Sequence, residues 1–90
     1  MLCNFRGVPY RVVFHKRMPK GWAKHDGYCS PRDSASPTVG IRRGMDDERE
    51  LEVTIHEAIH ACHWDLSEEA VEQTASDLGR MLWALGWRKT

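Results

Sequence analysis

The apolar and polar positions change their period once along the chain. Up to about residue 45 they form short β-branched and aromatic runs separated by turn chemistry, and beyond it they recur at helical spacing. The run Val8-Pro9-Tyr10-Arg11-Val12-Val13-Phe14-His15 predicts a strand over about 9–16, with Pro9 at its start or on a sheet edge. Met18-Pro19-Lys20-Gly21 and the stretch from Ser30 to Pro37 are turn and loop chemistry, bracketing a short strand around Tyr28. Thr38-Val39-Gly40-Ile41-Arg42 then predicts another short strand that ends at Gly44.

Asp46 or Asp47, followed by more carboxylates, reads as a helix start, because acidic groups there meet unpaired backbone N–H groups and the positive end of the helix dipole. Leu51, Ile55, Ala58, Ile59 and Cys62 then form one apolar stripe, with His56, His60 and His63 projecting together beside it. Asp65-Leu66-Ser67 looks like a tight break, with Ser67 or Asp65 capping a second helix. Along that helix Val71, Ala75, Leu78, Leu82 and Leu85 keep a four-three alternation; Gly86 suits the helix-ending position with φ > 0, and Trp87 is expected to fold back on the last turn. The fold class expected is therefore α+β, a short three-stranded sheet packed against two helices, as a single domain over 1–90.

Ninety residues at 41% hydrophobic content suffice for one compact core with little stability to spare, so a metal organised only in the native state would add usefully to folding. No stretch approaches the roughly 18 apolar residues of a membrane span, and the N-terminal Met-Leu-Cys-Asn-Phe-Arg lacks the apolar core of a secretion signal; a cytoplasmic protein is the expectation. Cys3, Cys29 and Cys62 are odd in number, widely spaced and without a CxxC pair, so neither a disulfide framework nor a thiolate zinc knuckle is indicated and reduced thiols are expected. The net charge is zero, but residues 1–45 carry nine Lys/Arg against two Asp/Glu and residues 46–90 carry four against eleven. Either the two halves attract each other across the fold, or the basic half meets nucleic acid or another acidic partner.

The residues that carry chemistry are His56-Glu57-Ala58-Ile59-His60. Histidines four apart on a helix lie one turn apart on one face, so both imidazoles can reach a single Zn2+ at about 2.0–2.1 Å. Glu57 between them is placed as general base and acid, taking a proton from water at the metal and passing it to a leaving amine. A catalytic zinc site needs a third protein ligand, and Glu68, Glu69, Glu72 and His63 are the candidates. Glu69 points away from the apolar stripe of its helix, whereas Glu68 and Glu72 lie on the flank; three histidines on one continuous helix splay too far, which makes His63 a ligand only if the helix ends before it. Cys62, Trp64, Trp83 and Trp87 read as packing groups. His15, His25 and Tyr28 are the donors available to a developing oxyanion, with nothing in their spacing to select one.

The segment Leu51–Cys62, then Glu68-Glu69-Ala70-Val71 and Leu82-Trp83-Ala84-Leu85-Gly86-Trp87, resembles the small phage-type zinc metallopeptidases and, more remotely, is similar to gluzincin and SprT-like zincins. The resemblance covers about residues 38–88; the N-terminal third matches only in being strand-like and basic. It implies a minimal zincin-like core in which a sheet edge, expected to be Thr38–Arg42, runs beside the active-site helix and receives an extended peptide, while the second helix donates the third ligand. Glu68 matches the acidic position that this family emphasises and becomes the preferred third ligand, ahead of Glu72. Zinc-dependent hydrolysis of a peptide or protein substrate is the function expected. The alternative is a non-catalytic zinc-stabilised binding module whose basic half contacts nucleic acid or an acidic partner.

Overall fold

The computed structural model describes residues 1–89; Thr90, the last residue of the expected domain, lies outside the described residues. The architecture is α+β, with strands β1 (Leu2–Phe5), β2 (Val8–His15), β3 (Gly27–Cys29) and β4 (Thr38–Arg42) followed by helices α1 (Asp47–Cys62) and α2 (Glu68–Ala84). The strands form one mixed sheet in the order β1-β2-β4-β3, with β2 and β4 parallel and both outer pairs antiparallel.

The sheet has one strand more than the three expected. Leu2–Phe5 is too short to declare itself by alternation, and it is joined to β2 by the two-residue turn Arg6-Gly7, at φ 52° and 86°, where Arg stands in place of the Asn or Asp usual before Gly. A second difference concerns the edge. Thr38–Arg42 is not an edge strand: it pairs with β2 on one side and β3 on the other, and the short β3 is outermost. In the chain β3 comes between β2 and β4, whereas in the sheet β4 lies between β2 and β3, and its apolar Val39 and Ile41 are buried there.

Both helices lie on one side of the sheet. Tyr10, Val39, Ile41, Val53 and Ala61 make the core, with Phe5, Val8, Val12, Phe14, Cys29 and Met45 packed around it. Tyr10 is fully buried and donates its hydroxyl to the Ser30 carbonyl at 3.0 Å, and burial pushes its pKa up to about 12. Asp46 caps α1 by accepting from the Arg49 N–H at 2.8 Å, and Ser67 caps α2 through Ala70 at 3.1 Å. Gly86, at φ 94°, closes α2; the Trp87 N–H returns to the Leu82 carbonyl, but the Trp87 side chain stays exposed.

The buried lines of the helices differ from the apolar stripes. In α1 the deepest positions are Val53, Glu57 and Ala61, because the helix is held between the sheet and α2 and the Leu51–Ile55–Ile59 stripe is only half-buried. In α2 they are Val71, Ala75 and Gly79, whereas Leu78 and Leu85 are exposed. Small residues win there because the helices approach closely: a Cβ on Gly79 would lie 3.4 Å from the Glu52 Cα. No helix among the described residues is long and apolar enough to cross a membrane.

Candidate metal centre

His56 and His60 project from α1 one turn apart, with ring centroids 5.0 Å from each other. Glu68 is the first residue of α2, so the Ser67 cap that starts the helix also sets where its carboxylate stands. That carboxylate reaches back across the short connection: Oε1 lies 2.8 Å from His56 Nε2 and Oε2 lies 2.9 Å from His60 Nε2. One donor atom from each of the three residues falls within 4.8 Å of the other two. The histidine side chains are largely buried, at 20% and 16% exposure, while Glu68 is open to solvent at 67%.

Two imidazole nitrogens and a carboxylate oxygen are a donor set suited to zinc, and three protein ligands leave a fourth tetrahedral position open. The carboxylate stands at hydrogen-bonding distance from both ring nitrogens, and the three donor groups are close enough to one another to converge on a single cation. The residues present therefore fit the metal.

Of the other ligand candidates, Glu72 lines the same cleft one turn further along α2 but is not among the three clustered donors, and Glu69 lies away from it. His63 does lie beyond the end of α1, as its C-cap, yet this turns it out of the site, with Nδ1 3.4 Å from the Arg6 guanidinium.

Glu57 is 8% exposed, on the face of α1 turned to the sheet. Gly27 of β3 makes room for it. A Cβ at that position would stand 2.9 Å from Glu57 Cγ, 3.0 Å from Oε2 and 2.8 Å from Val53 Cγ1. Burial, reinforced by the charge of Glu68, pushes the Glu57 carboxyl up to about 7. Burial also raises the Cys29 thiol to about 12, with the Glu57 charge contributing next. Cys29 is thus an inert, protonated thiol.

His56, His60, Glu57 and Glu68 share a cleft of about 740 Å³, walled by β3 on one side and by Trp22 and Trp64 at its rim. Trp64 sets its ring against His60 at 6.3 Å and is 46% exposed, so it borders the site and is not the packing group its apolar character suggested. Arg49, also in the cleft, is held by Asp26 at 3.1 Å and Glu52 at 3.4 Å. Since Arg42 N–H bonds to Asp26 O and Ser30 N–H to Thr38 O, residues 26 and 30 turn their backbone groups toward β4. By alternation Gly27 and Cys29 turn theirs to the open edge.

Among the candidate oxyanion donors, His25 stands on the cleft rim, edge-on to Trp22. Tyr28 flanks the cleft through its strand, but its ring covers Gly40 on the sheet face away from the helices, and its hydroxyl is 2.9 Å from His15 Nε2. The short strand around Tyr28 was legible, but its place at the sheet edge and the role of Gly27 carried no signal: strand order is set by distant pairings, and a glycine's role as clearance exists only once a neighbour is placed over it. Compared with models of protein families, with curated proteins and with solved structures, the chain matches none.

Proposed function

We propose that this protein is a zinc-dependent metallopeptidase of the zincin kind, with His56, His60 and Glu68 as the metal ligands and Glu57 as the proton carrier. The observation that carries the reading is the convergence of three donor atoms from two helices within 4.8 Å, in a cleft that also holds a buried carboxylate. Zinc, when bound, supplies Lewis acidity toward a peptide carbonyl and toward water.

The chain's own residues supply the rest. Glu57 is fixed between α1 and Gly27, so its carboxyl can accept a proton at the bottom of the cleft and release it to the amine that departs. The free edge of β3 offers the Gly27 and Cys29 backbone groups to an extended peptide, which would lie alongside the histidines. Arg49, engaged by two carboxylates, stiffens the far wall of the cleft.

Metal analysis with two substitutions tests the reading. Protein purified with zinc should hold about one equivalent, His56→Ala should lose it together with thermal stability, and Glu57→Gln should keep the metal while abolishing hydrolysis of an unstructured protein substrate. Absence of stoichiometric zinc refutes the metal centre. Retained zinc with no hydrolysis by the parent protein leaves a zinc-stabilised binding module instead.

A further inference from the structure

The chain's charge asymmetry becomes a spatial one in the fold. The half with nine cations against two acids forms the sheet and its loops, while the half with eleven acids against four cations forms the helices and their flanks. The two sets do not neutralise each other by contact. Of the cations in the basic half, the seven ion pairs among the described residues use only Arg42, whose partner Asp26 belongs to the same half, and Arg11, Lys16, Arg17, Lys20, Lys24 and Arg43 are exposed and form none.

Four of these cations lie on the loop between β2 and β3, and that loop is held in place. The buried Met18 anchors it; two successive turns, Trp22 N–H to Pro19 O and His25 N–H to Trp22 O, shape it; and Arg42 clamps its end through the His25 carbonyl at 2.8 Å. Arg43 joins the same end of the sheet, its N–H bonding to the His15 carbonyl beside Lys16. Between Lys20 and Lys24 stands Trp22, 40% exposed, stacked at 18° over Tyr28 with centroids 5.4 Å apart. An aromatic platform is thus flanked along the chain by an exposed lysine two residues to either side, neither of them in an ion pair.

We propose that this loop, with Trp22 at its centre and Lys16, Arg17, Lys20, Lys24 and Arg43 around it, binds single-stranded nucleic acid. Phosphates match the row of unpaired cations, and an unstacked base matches the indole platform; an acidic peptide satisfies only the first, and a duplex withholds its base faces from the second. The surface does not depend on the metal site for its chemistry.

Fluorescence anisotropy of a labelled oligothymidine against the full-length, zinc-loaded protein tests this. With about four phosphates neutralised, a fourfold rise in salt should weaken binding about fifty-fold. Lys16→Glu/Lys20→Glu/Lys24→Glu should flatten that salt dependence, and Trp22→Ala should cost at least about fivefold while Trp22→Phe restores most of the affinity. Circular dichroism and zinc content of each variant establish that the fold is intact. No binding at low salt, tighter binding of a duplex of equal length, equal competition by polyglutamate, or indifference to Trp22→Ala would each overturn the proposal.

Discussion

Gly27→Ala isolates the contact on which the buried carboxylate depends. Gly27 is not among the positive-φ glycines, so alanine is compatible with its backbone and by itself would tend to stabilise by restricting the unfolded chain. The added methyl decides the sign. It would meet Val53 Cγ1 at 2.8 Å, Glu57 Cγ at 2.9 Å and Glu57 Oε2 at 3.0 Å, all closer than side-chain carbons normally come. Val53 is 4% exposed and Glu57 8%, so neither has solvent to retreat into. Overpacking of this kind costs about 2 kcal/mol, which in a domain of this size lowers Tm by about 10 °C. Urea denaturation of Gly27→Ala, Glu57→Ala and the double variant would measure it. Two of the three close contacts vanish with the Glu57 side chain, so the double variant should recover about 1 kcal/mol or more relative to additivity. Additive effects, or a Gly27→Ala protein as stable as the parent, would refute the placement of Glu57 against β3.

Other outcomes follow from the same geometry. In metal-free protein the Glu57 carboxyl rises from 4.5 to about 7, so the folded state holds the extra proton between those values; its stability is full below pH 4.5 and is lost as pH rises through about 7, by about 3 kcal/mol in all. Denaturation midpoints across that window should fall with pH, and Glu57→Gln should remove the slope. Cys29, with its thiol raised to about 12, should resist iodoacetamide at pH 8 in the folded protein and react fully in urea, as followed by mass spectrometry. Ser67→Ala removes the bond to the Ala70 N–H and should cost about 1 kcal/mol of stability; because Glu68 follows directly, a zinc titration should show weaker metal binding as well.

The local features of the chain were legible because they depend on neighbours in sequence. Asp46 and Ser67 cap helices wherever those helices pack, Gly86 ends α2 through its own backbone, and residues four apart on a helix share a face, so His56 and His60 stand together whatever surrounds them. The α+β class followed from the change of period. What distance in sequence separates, only the tertiary structure decided. Which carboxylate faces the histidines depends on where the 63–67 connection turns α2, a choice between Glu68 and Glu72 that periodicity leaves open. The order β1-β2-β4-β3 makes β3 the edge, because a β4 with a strand on either side buries Val39 and Ile41 on its helix-facing side, which outweighs keeping sequential strands adjacent. Glu57 lies on the buried line of α1 although it is charged, a position invisible to any hydrophobic pattern and permitted by the missing side chain of Gly27, thirty residues away in the chain.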